Sequence, residues 1–157
     1  MFEKKIVSKE FVDETYSLIA DVHDKIIEQT GGIKGIRDIG GLQHSINKVL
    51  TFQNNNSNDS ISVGAFVYKE LARRHHFNDG NKRTAHAFAK IMLFLMDNHF
   101  KIQYKEAVPF IIEIAKHDSK VSFNEIKQWL DKHLLVVPEE YENQIVKYIN
   151  DTILEMK

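Results

Sequence analysis

Apolar residues recur at helical spacing along most of the chain, beginning with residues 8–29. One face of that segment carries apolar or small residues at i, i+3 and i+4 intervals: Phe11, Thr15, Leu18, Ile19, Val22 and Ile26. Such spacing predicts an amphipathic helix, which the glycines at 31, 32 and 35 should end. Asp38 can cap a second helix that extends to about Phe52. The residues expected to face inward there are Leu42, Ile46, Val49 and Leu50.

The strongest apolar pattern lies in residues 81–98. This segment is apolar on most sides, which predicts the most buried helix of the fold. Its apolar positions are Ala85, Phe88, Ala89, Ile91, Met92, Leu95 and Met96. A third helix over residues 61–74 should precede it, and helices at about 106–117, 123–134 and 139–155 should follow. Residues 100–104 alternate between apolar and polar and predict one short strand.

The polar segment 53–60 contains four Asn, two Ser and one Asp, and it predicts an exposed, mobile loop inside one domain. The pattern as a whole predicts an all-α fold, a compact helical domain with one short β element. We assign residues 1–137 to the main domain, which carries the candidate chemistry described below, and residues 138–157, which begin at Pro138, to a C-terminal helix.

Composition narrows the possible functions. The 157 residues fit one compact domain. Lys plus Arg number 21 and Asp plus Glu number 22, and this net charge of −1 argues against a protein that coats nucleic acid or anionic lipid. The chain has no Cys, which excludes thiolate metal sites and thiol nucleophiles. The polar start of the sequence and the lack of a long apolar stretch predict a cytoplasmic protein with no membrane span.

The segment HHFNDGNKRT, residues 75–84, combines a titratable base, a carboxylate, two cations, an amide and a glycine. A helix that begins near Asn81 would point its unpaired N–H groups and positive dipole end toward this segment. Gly80 would allow the backbone to curl tightly. Lys82 and Arg83 add positive charge at the same end. Together these features predict a binding site for an anion, most plausibly phosphate.

Asp79 would repel a phosphate, so its expected role is to hold Mg²⁺, which bridges phosphate oxygens. Histidine titrates near neutral pH, so His75 is the candidate base that takes a proton from an attacking hydroxyl. Two cations in the first turn of a helix oppose the helix dipole. A binding function explains why the sequence accepts that local cost.

The segment resembles the signature of the Fic/Doc family, His-x-Phe-x-Asp/Glu-Gly-Asn-Gly/Lys-Arg, throughout residues 75–83. It is most similar to the Doc (death-on-curing toxin) branch, in which Lys follows the Asn. His23-Asp24, the glycines at 31, 32 and 35, and Leu42 are similar to the N-terminal pattern of that branch, so the resemblance covers about residues 8–134. It implies a compact Fic fold whose active site is the loop between two central helices.

The resemblance also implies roles for individual residues, with ATP and Mg²⁺ as cofactors. His75 is the expected general base toward a target hydroxyl, Phe77 the anchor of the loop, and Asp79 the Mg²⁺ ligand. Arg83 is the third expected catalytic residue. The residues expected to hold the nucleotide are Gly80, Asn81, Lys82, Arg83 and Thr84.

The Doc branch resembles a kinase that transfers the γ-phosphoryl group to a Ser or Thr of a translation factor, with elongation factor Tu as the implied target. AMP-transferring members usually carry Gly where this chain has Lys82, and a second Arg where it has His86. Both departures favour the kinase. Self-inhibited members carry a Ser/Thr-x-x-x-Glu-Gly/Asn helix, and Glu142-Asn143, four residues after Pro138, does not fit it. A separate antitoxin is therefore the expected restraint, and neither nucleic acid nor membrane is an expected partner.

Three alternatives stay open. The first is a Fic-type AMP transferase, which modifies its target by adenylylation. The second is an HD-type metal phosphohydrolase, suggested by His23-Asp24 with His75 or His76 and Asp79, although no His precedes residue 23 as such a site requires. The third is a non-catalytic Fic-fold protein that only binds a partner.

Overall fold

Helices make up most of residues 7–157, the part of the chain that the computed structural model describes. One short antiparallel pair of strands and one 3₁₀ turn (Glu139–Tyr141) complete it, which confirms the expected all-α class with a short β element. The elements are α1 (Lys9–Thr30), α2 (Ile39–Asn55), α3 (Ser60–Arg73), α4 (Asn81–Leu95), β1 (Asn98–Phe100), α5 (Tyr104–Ala115), α6 (Phe123–Asp131), β2 (Leu134–Val136) and α7 (Ile145–Leu154).

Short polar side chains set the starts of several helices by accepting hydrogen bonds from free backbone N–H groups. Ser8 caps α1, and the expected cap Asp38 begins α2 by accepting from the Gly41 N–H at 2.8 Å. The buried face of α1 differs from the expected one at several positions: Leu18 is only half-buried, and His23 and Ile27 are buried in addition. Phe11 is 45% exposed and Val12 is buried instead, so the apolar stripe begins one residue later than predicted.

The core lies mainly between α3 and α4. Every residue of α4 from Thr84 to Leu93 is buried, which confirms the prediction that this helix is the most buried one. Helix α3 packs along it, and α1 covers another side. The segment that connects α3 to α4, residues 74–80, therefore begins and ends in the most rigid part of the fold.

The exposed loop predicted over residues 53–60 is present but shorter than expected. Helix α2 continues to Asn55, and residues 56–59 alone separate it from α3. The reason is a tertiary contact, because the ring of Phe52 stacks on Phe66 of α3 with centroids 4.4 Å apart. The Asn56 side-chain amide also donates to the Phe52 carbonyl at 2.9 Å, which closes the last turn.

The β element lies slightly earlier than predicted and has a partner that the sequence did not indicate. Strand β1 pairs antiparallel with β2, with His99 opposite Leu135. Helix α4 ends at Leu95 rather than at residue 98. Asp97 has a φ of 64°, a left-handed conformation that an α-helix does not contain, so the chain turns there into β1.

The predicted helix over residues 139–155 is divided in two. A 3₁₀ turn covers Glu139–Tyr141, and Asn143 then adopts a φ of 59° before α7 begins. Helix α7 packs against α1 and α4, where apolar side chains form a second buried cluster of Val22, Ile26, Ala87, Ile91, Ile153 and Met156.

A buried ion pair adds to this contact between α4 and the C-terminal segment. The Lys90 ammonium, only 1% exposed, donates to the Glu155 carboxylate at 2.8 Å. The C-terminal segment therefore completes the burial of the helix that carries the candidate site.

None of the helices within residues 7–157 has the length and apolar character needed to cross a membrane. The expectation of a protein without a leader depends on the polar start of the sequence. That start falls in residues 1–6 and lies outside the described residues.

Candidate active site

The α3–α4 loop, residues 74–80, is held tightly by the helices around it. Phe77 is buried, as the resemblance implies, and its ring stacks on the ring of His23 from α1 with centroids 3.9 Å apart. The Asn81 side chain accepts from the Phe77 N–H and donates to the Phe77 carbonyl, both at 3.0 Å. The loop is therefore fixed in its middle by an aromatic stack and at its end by a two-bonded amide.

The Gly-rich segment, residues 31–38, forms a wall along this loop. Ile36 and Phe77 form an antiparallel bridge between the two segments. The Asn78 N–H donates to the Gly35 carbonyl at 3.1 Å, and the Arg37 N–H donates to the His76 carbonyl at 2.7 Å. Backbone pairing thus places the Gly-rich segment beside the predicted site residues, which are about forty residues away in sequence.

The two adjacent histidines of the loop point into different environments. His75 is exposed and lines a cavity of about 440 Å³. His76 is buried, and its Nε2 lies 2.7 Å from the Ser45 hydroxyl of α2. Burial lowers the pKa of His76 below its ordinary value. His75 is thus the accessible histidine of the pair, and its role as the general base stays a prediction.

A buried polar network behind His75 was not predicted from the sequence. The Ser45 hydroxyl donates to the Glu70 carboxylate at 2.8 Å, so it must accept from the His76 Nε2–H. Lys48 donates to the same carboxylate at 3.0 Å. Burial alone would raise the pKa of Glu70, but the hydrogen bonds from Lys48 and Ser45 outweigh it and lower that pKa. The available sequence signal is that Ser45 and Glu70 occupy inward positions of amphipathic helices.

The start of α4 forms an open anion site. Gly80 has a left-handed φ of 77° and stands at the N-cap, and no side chain within residues 7–157 caps this helix. The first N–H groups of α4 and the positive end of its dipole are therefore available to a phosphate. Lys82 is half-buried in the first turn, where its ammonium adds to the positive field.

Asp79 is held as a carboxylate at the edge of this anion site. Hydrogen bonds from the backbone N–H groups of Gly80 (2.9 Å) and Ile33 (3.3 Å) lower its pKa. The side chain is 44% exposed, so an oxygen can still reach a ligand. A partly exposed, ionised carboxylate fits Mg²⁺, which uses one or two carboxylates together with substrate phosphates.

Arg83 connects the start of α4 to the end of α1. Its guanidinium donates to the Gly31 carbonyl at 2.8 Å and to the Thr30 hydroxyl, and it lies 3.4 Å from the Asp79 carboxylate. Thr84 differs from its neighbours, because its hydroxyl is buried and its N–H donates to the Gly80 carbonyl at 2.9 Å. A role for Thr84 in holding a nucleotide stays a prediction.

A comparison with protein-family models decides what this arrangement belongs to. The model of the Fic/DOC family matches residues 13–93, more than half of the 157 residues. The chain belongs to the Fic/DOC family. No curated protein matches the chain. The matched region extends from α1 to α4 and includes the Gly-rich segment and the α3–α4 loop, which together with the start of α4 are here called the Fic site. The family supports a Fic-type transferase in general.

His86 occupies the position where AMP-transferring Fic proteins usually carry a second Arg. It lies in the core, where its Nδ1 and the Tyr68 hydroxyl form a hydrogen bond. Burial, with a contribution from Lys90, lowers its pKa to about 3. His86 is therefore neutral at physiological pH, and it offers no charge to a nucleotide in this Fic site.

Acid should destabilise the protein through His86. The pKa of His86 in the folded protein, about 3, lies below the ordinary value of 6.5. Between these two values the unfolded chain therefore binds a proton at His86 and the folded protein does not. This contribution to stability is complete above the ordinary value and is lost as the pH falls toward 3, by up to roughly 1.4 kcal/mol per pH unit. Urea unfolding of wild type and His86→Asn, which keeps an acceptor for Tyr68, should show the shallower pH dependence in the variant. Equal slopes would contradict this prediction.

His23 has a structural role in this Fic site. Its Nε2 donates to the Asp79 carbonyl at 2.7 Å while its ring supports Phe77, so one α1 side chain holds both halves of the loop. The HD-type phosphohydrolase alternative needs His23 as a metal ligand, and this burial and bonding leave it no such role. Residues 7–157 contain no group of three or more His, Asp or Glu side chains that could hold a metal ion.

Proposed function

We propose that this Fic-family protein is a Doc-like toxin, which transfers the γ-phosphoryl group of ATP to a Ser or Thr hydroxyl of a target protein. The observation that carries the proposal is a pair of charge differences from the site of an AMP transferase, one cation gained and one cation lost. Lys82 adds a cation at the first turn of α4, and the buried, neutral His86 replaces the guanidinium one turn deeper. The phosphate tail of ATP is then expected to bind the Lys82 ammonium and the free N–H groups in the first turn of α4.

The chain's own residues supply the parts that phosphoryl transfer needs. His75 takes the proton of the target hydroxyl while that oxygen bonds to the γ-phosphorus and the bond to ADP breaks. The open amides of α4 and the Lys82 ammonium stabilise the negative charge that spreads over the phosphoryl oxygens. Mg²⁺ held by Asp79 supplies further charge neutralisation when bound.

A translation factor such as elongation factor Tu is the target that the Doc resemblance suggests, and we place the reaction in the cytoplasm, where ATP and translation factors meet. We also propose a separate antitoxin as the inhibitor. Glu142, the nearest match to the inhibitory pattern of self-inhibited relatives, lies in a cavity with Phe94 and Leu95 at the C-terminal end of α4. The 15 residues of α4 put roughly 22 Å between that end and the phosphate site.

Labelled ATP distinguishes the proposed kinase from an AMP transferase. The protein is incubated with a cell extract and ATP labelled at either the α- or the γ-phosphorus, with His75→Ala as the control. We expect protein-bound label from γ-labelled ATP only. Label from α-labelled ATP would show AMP transfer, and no label from either, despite nucleotide binding, would favour a non-catalytic binding protein.

Asp79→Asn should weaken the binding of Mg²⁺-ATP by about tenfold, a loss of ~1.4 kcal/mol. The amide oxygen can still accept from the Gly80 N–H, but it lacks the negative charge that a hard cation prefers. Titration of ATP with and without Mg²⁺ measures the effect, and Asp13→Asn, an exposed position near the start of α1, is the matched control. If Asp79→Asn keeps the full Mg²⁺ dependence of the wild type, Asp79 acts only as a local cap.

A further inference from the structure

A second concave surface meets the Fic site at His75. It is the cavity of about 440 Å³, here called the basic basin, and its walls are α2, α3, the α3–α4 loop and the end of the Gly-rich segment. His75 lines it, whereas Asp79, Gly80, Lys82 and Arg83 do not. The basin is therefore separate from the phosphate site, and His75 lies where the two surfaces meet.

Basic side chains dominate the lining of the basin. It contains four cations, two carboxylates and three histidines: Arg37, Lys48, Arg73, Arg74, Asp38, Glu70, His44, His75 and His76. This positive character is local, because the whole chain carries a net charge of −1. A concave surface of one sign concentrates the field and attracts groups of the opposite sign.

Both carboxylates of the basin already have partners within the fold. Asp38 accepts from the Gly41 N–H as the cap of α2, and Glu70 is 8% exposed and bonded to Ser45 and Lys48. The charge of Glu70 is therefore directed inward, whereas Asp38 is exposed, although its carboxylate is bonded as a helix cap.

Two cationic side chains of the basin are exposed to solvent. Arg37 is exposed, and no carboxylate within residues 7–157 forms an ion pair with it. The Arg74 side chain is 58% exposed and lies 3.6 Å from Glu70. By contrast, Arg73 is bound to the carbonyls of Ile114 and Val121. Arg37 and Arg74 are therefore the two guanidinium groups that the basin offers to a partner.

We propose that the basic basin binds an acidic segment of the target protein and thereby brings a neighbouring Ser or Thr hydroxyl to His75. The inference rests on the proposed transfer reaction for its purpose, because only a substrate needs to reach both the basin and His75. Guanidinium groups bind carboxylates in a planar, two-bonded geometry, which suits Asp or Glu side chains. A cavity of this volume accepts a few side chains, and the net charge of the chain disfavours a nucleic-acid backbone.

Fluorescence anisotropy without ATP tests the basin apart from catalysis. The probes are a labelled twelve-residue peptide of Glu, Gly and one Thr, the same peptide with Lys in place of Glu, and a single-stranded DNA of equal length. We expect wild type to bind the Glu peptide best, with an affinity that decreases as salt is added. Arg37→Gln/Arg74→Gln should weaken that binding by about tenfold, since two partly exposed ion pairs are lost.

The matched control is Lys9→Gln/Lys132→Gln, which changes the net charge equally at exposed positions outside the basin. It should bind the Glu peptide as wild type does, and circular dichroism should show the same helix content in both variants. An equal loss in the control, no preference for the Glu peptide, or tighter binding of DNA would each overturn the proposal. Because no ATP is present, a failure of phosphoryl transfer leaves this result unchanged, and a failure of peptide binding leaves the labelled-ATP result unchanged.

Discussion

His75→Ala should lower the rate of transfer by ~10²–10⁴, the usual contribution of a general base. The fold should not change, because His75 is exposed and the loop is held by other residues, namely Phe77 in its aromatic stack and Asn81 in its two backbone bonds. The measurement is the initial rate of label transfer, together with the thermal unfolding midpoint.

His117→Ala is the matched control for this variant. His117 is also an exposed histidine, but it lies outside both the basic basin and the α3–α4 loop. It should keep transfer much closer to wild type. Near wild-type transfer by a folded His75→Ala protein would remove His75 from the mechanism.

The wild-type protein and His75→Ala also test the proposal that this protein is a toxin. Expression of the wild-type chain alone should slow growth of the host, and expression of His75→Ala should not, because growth arrest requires the transfer reaction. Harmless expression of an active wild-type protein would contradict the toxin proposal while leaving its enzymatic activity established.

Glu155→Ala should lower the free energy of unfolding by about 3 kcal/mol, the lower end of the range for breaking a buried ion pair. The substitution leaves the Lys90 ammonium, which is 1% exposed, without its carboxylate in the middle of α4. The lower end applies because Glu155 itself is 29% exposed and partly hydrated. Urea unfolding monitored by circular dichroism gives the value.

A double-mutant cycle separates the ion pair from the other effects of the substitution. Lys90→Met removes the buried charge, so Glu155→Ala should cost much less in that background. Glu28→Gln, whose partner Lys34 is as exposed as Glu28 itself, should leave the free energy of unfolding almost unchanged. A small effect of Glu155→Ala in the wild-type background would mean that Lys90 finds water or another partner when α7 loses its carboxylate.

The sequence alone predicted the elements whose apolar residues repeat over several turns. The most buried helix, α4, and the Asp38 cap of α2 were expected and are present. The segments placed wrongly are short ones in which a distant contact decides. Phe66 extends α2 through residues that look like a loop, and the helix predicted over residues 139–155 is interrupted at Asn143. Turn composition carries no information about such contacts.

For the site, the sequence by itself identified the family, because the segment from His75 to Arg83 is contiguous and matches a long signature. The tertiary structure alone decided which histidine is accessible, and it connected Ser45 and Glu70 behind that loop. It also placed His23 against Asp79, 56 residues away, and buried His86 in the core. The physical reason is that backbone and dipole effects act within one turn of the chain, whereas burial and long-range hydrogen bonds exist only once the helices have packed.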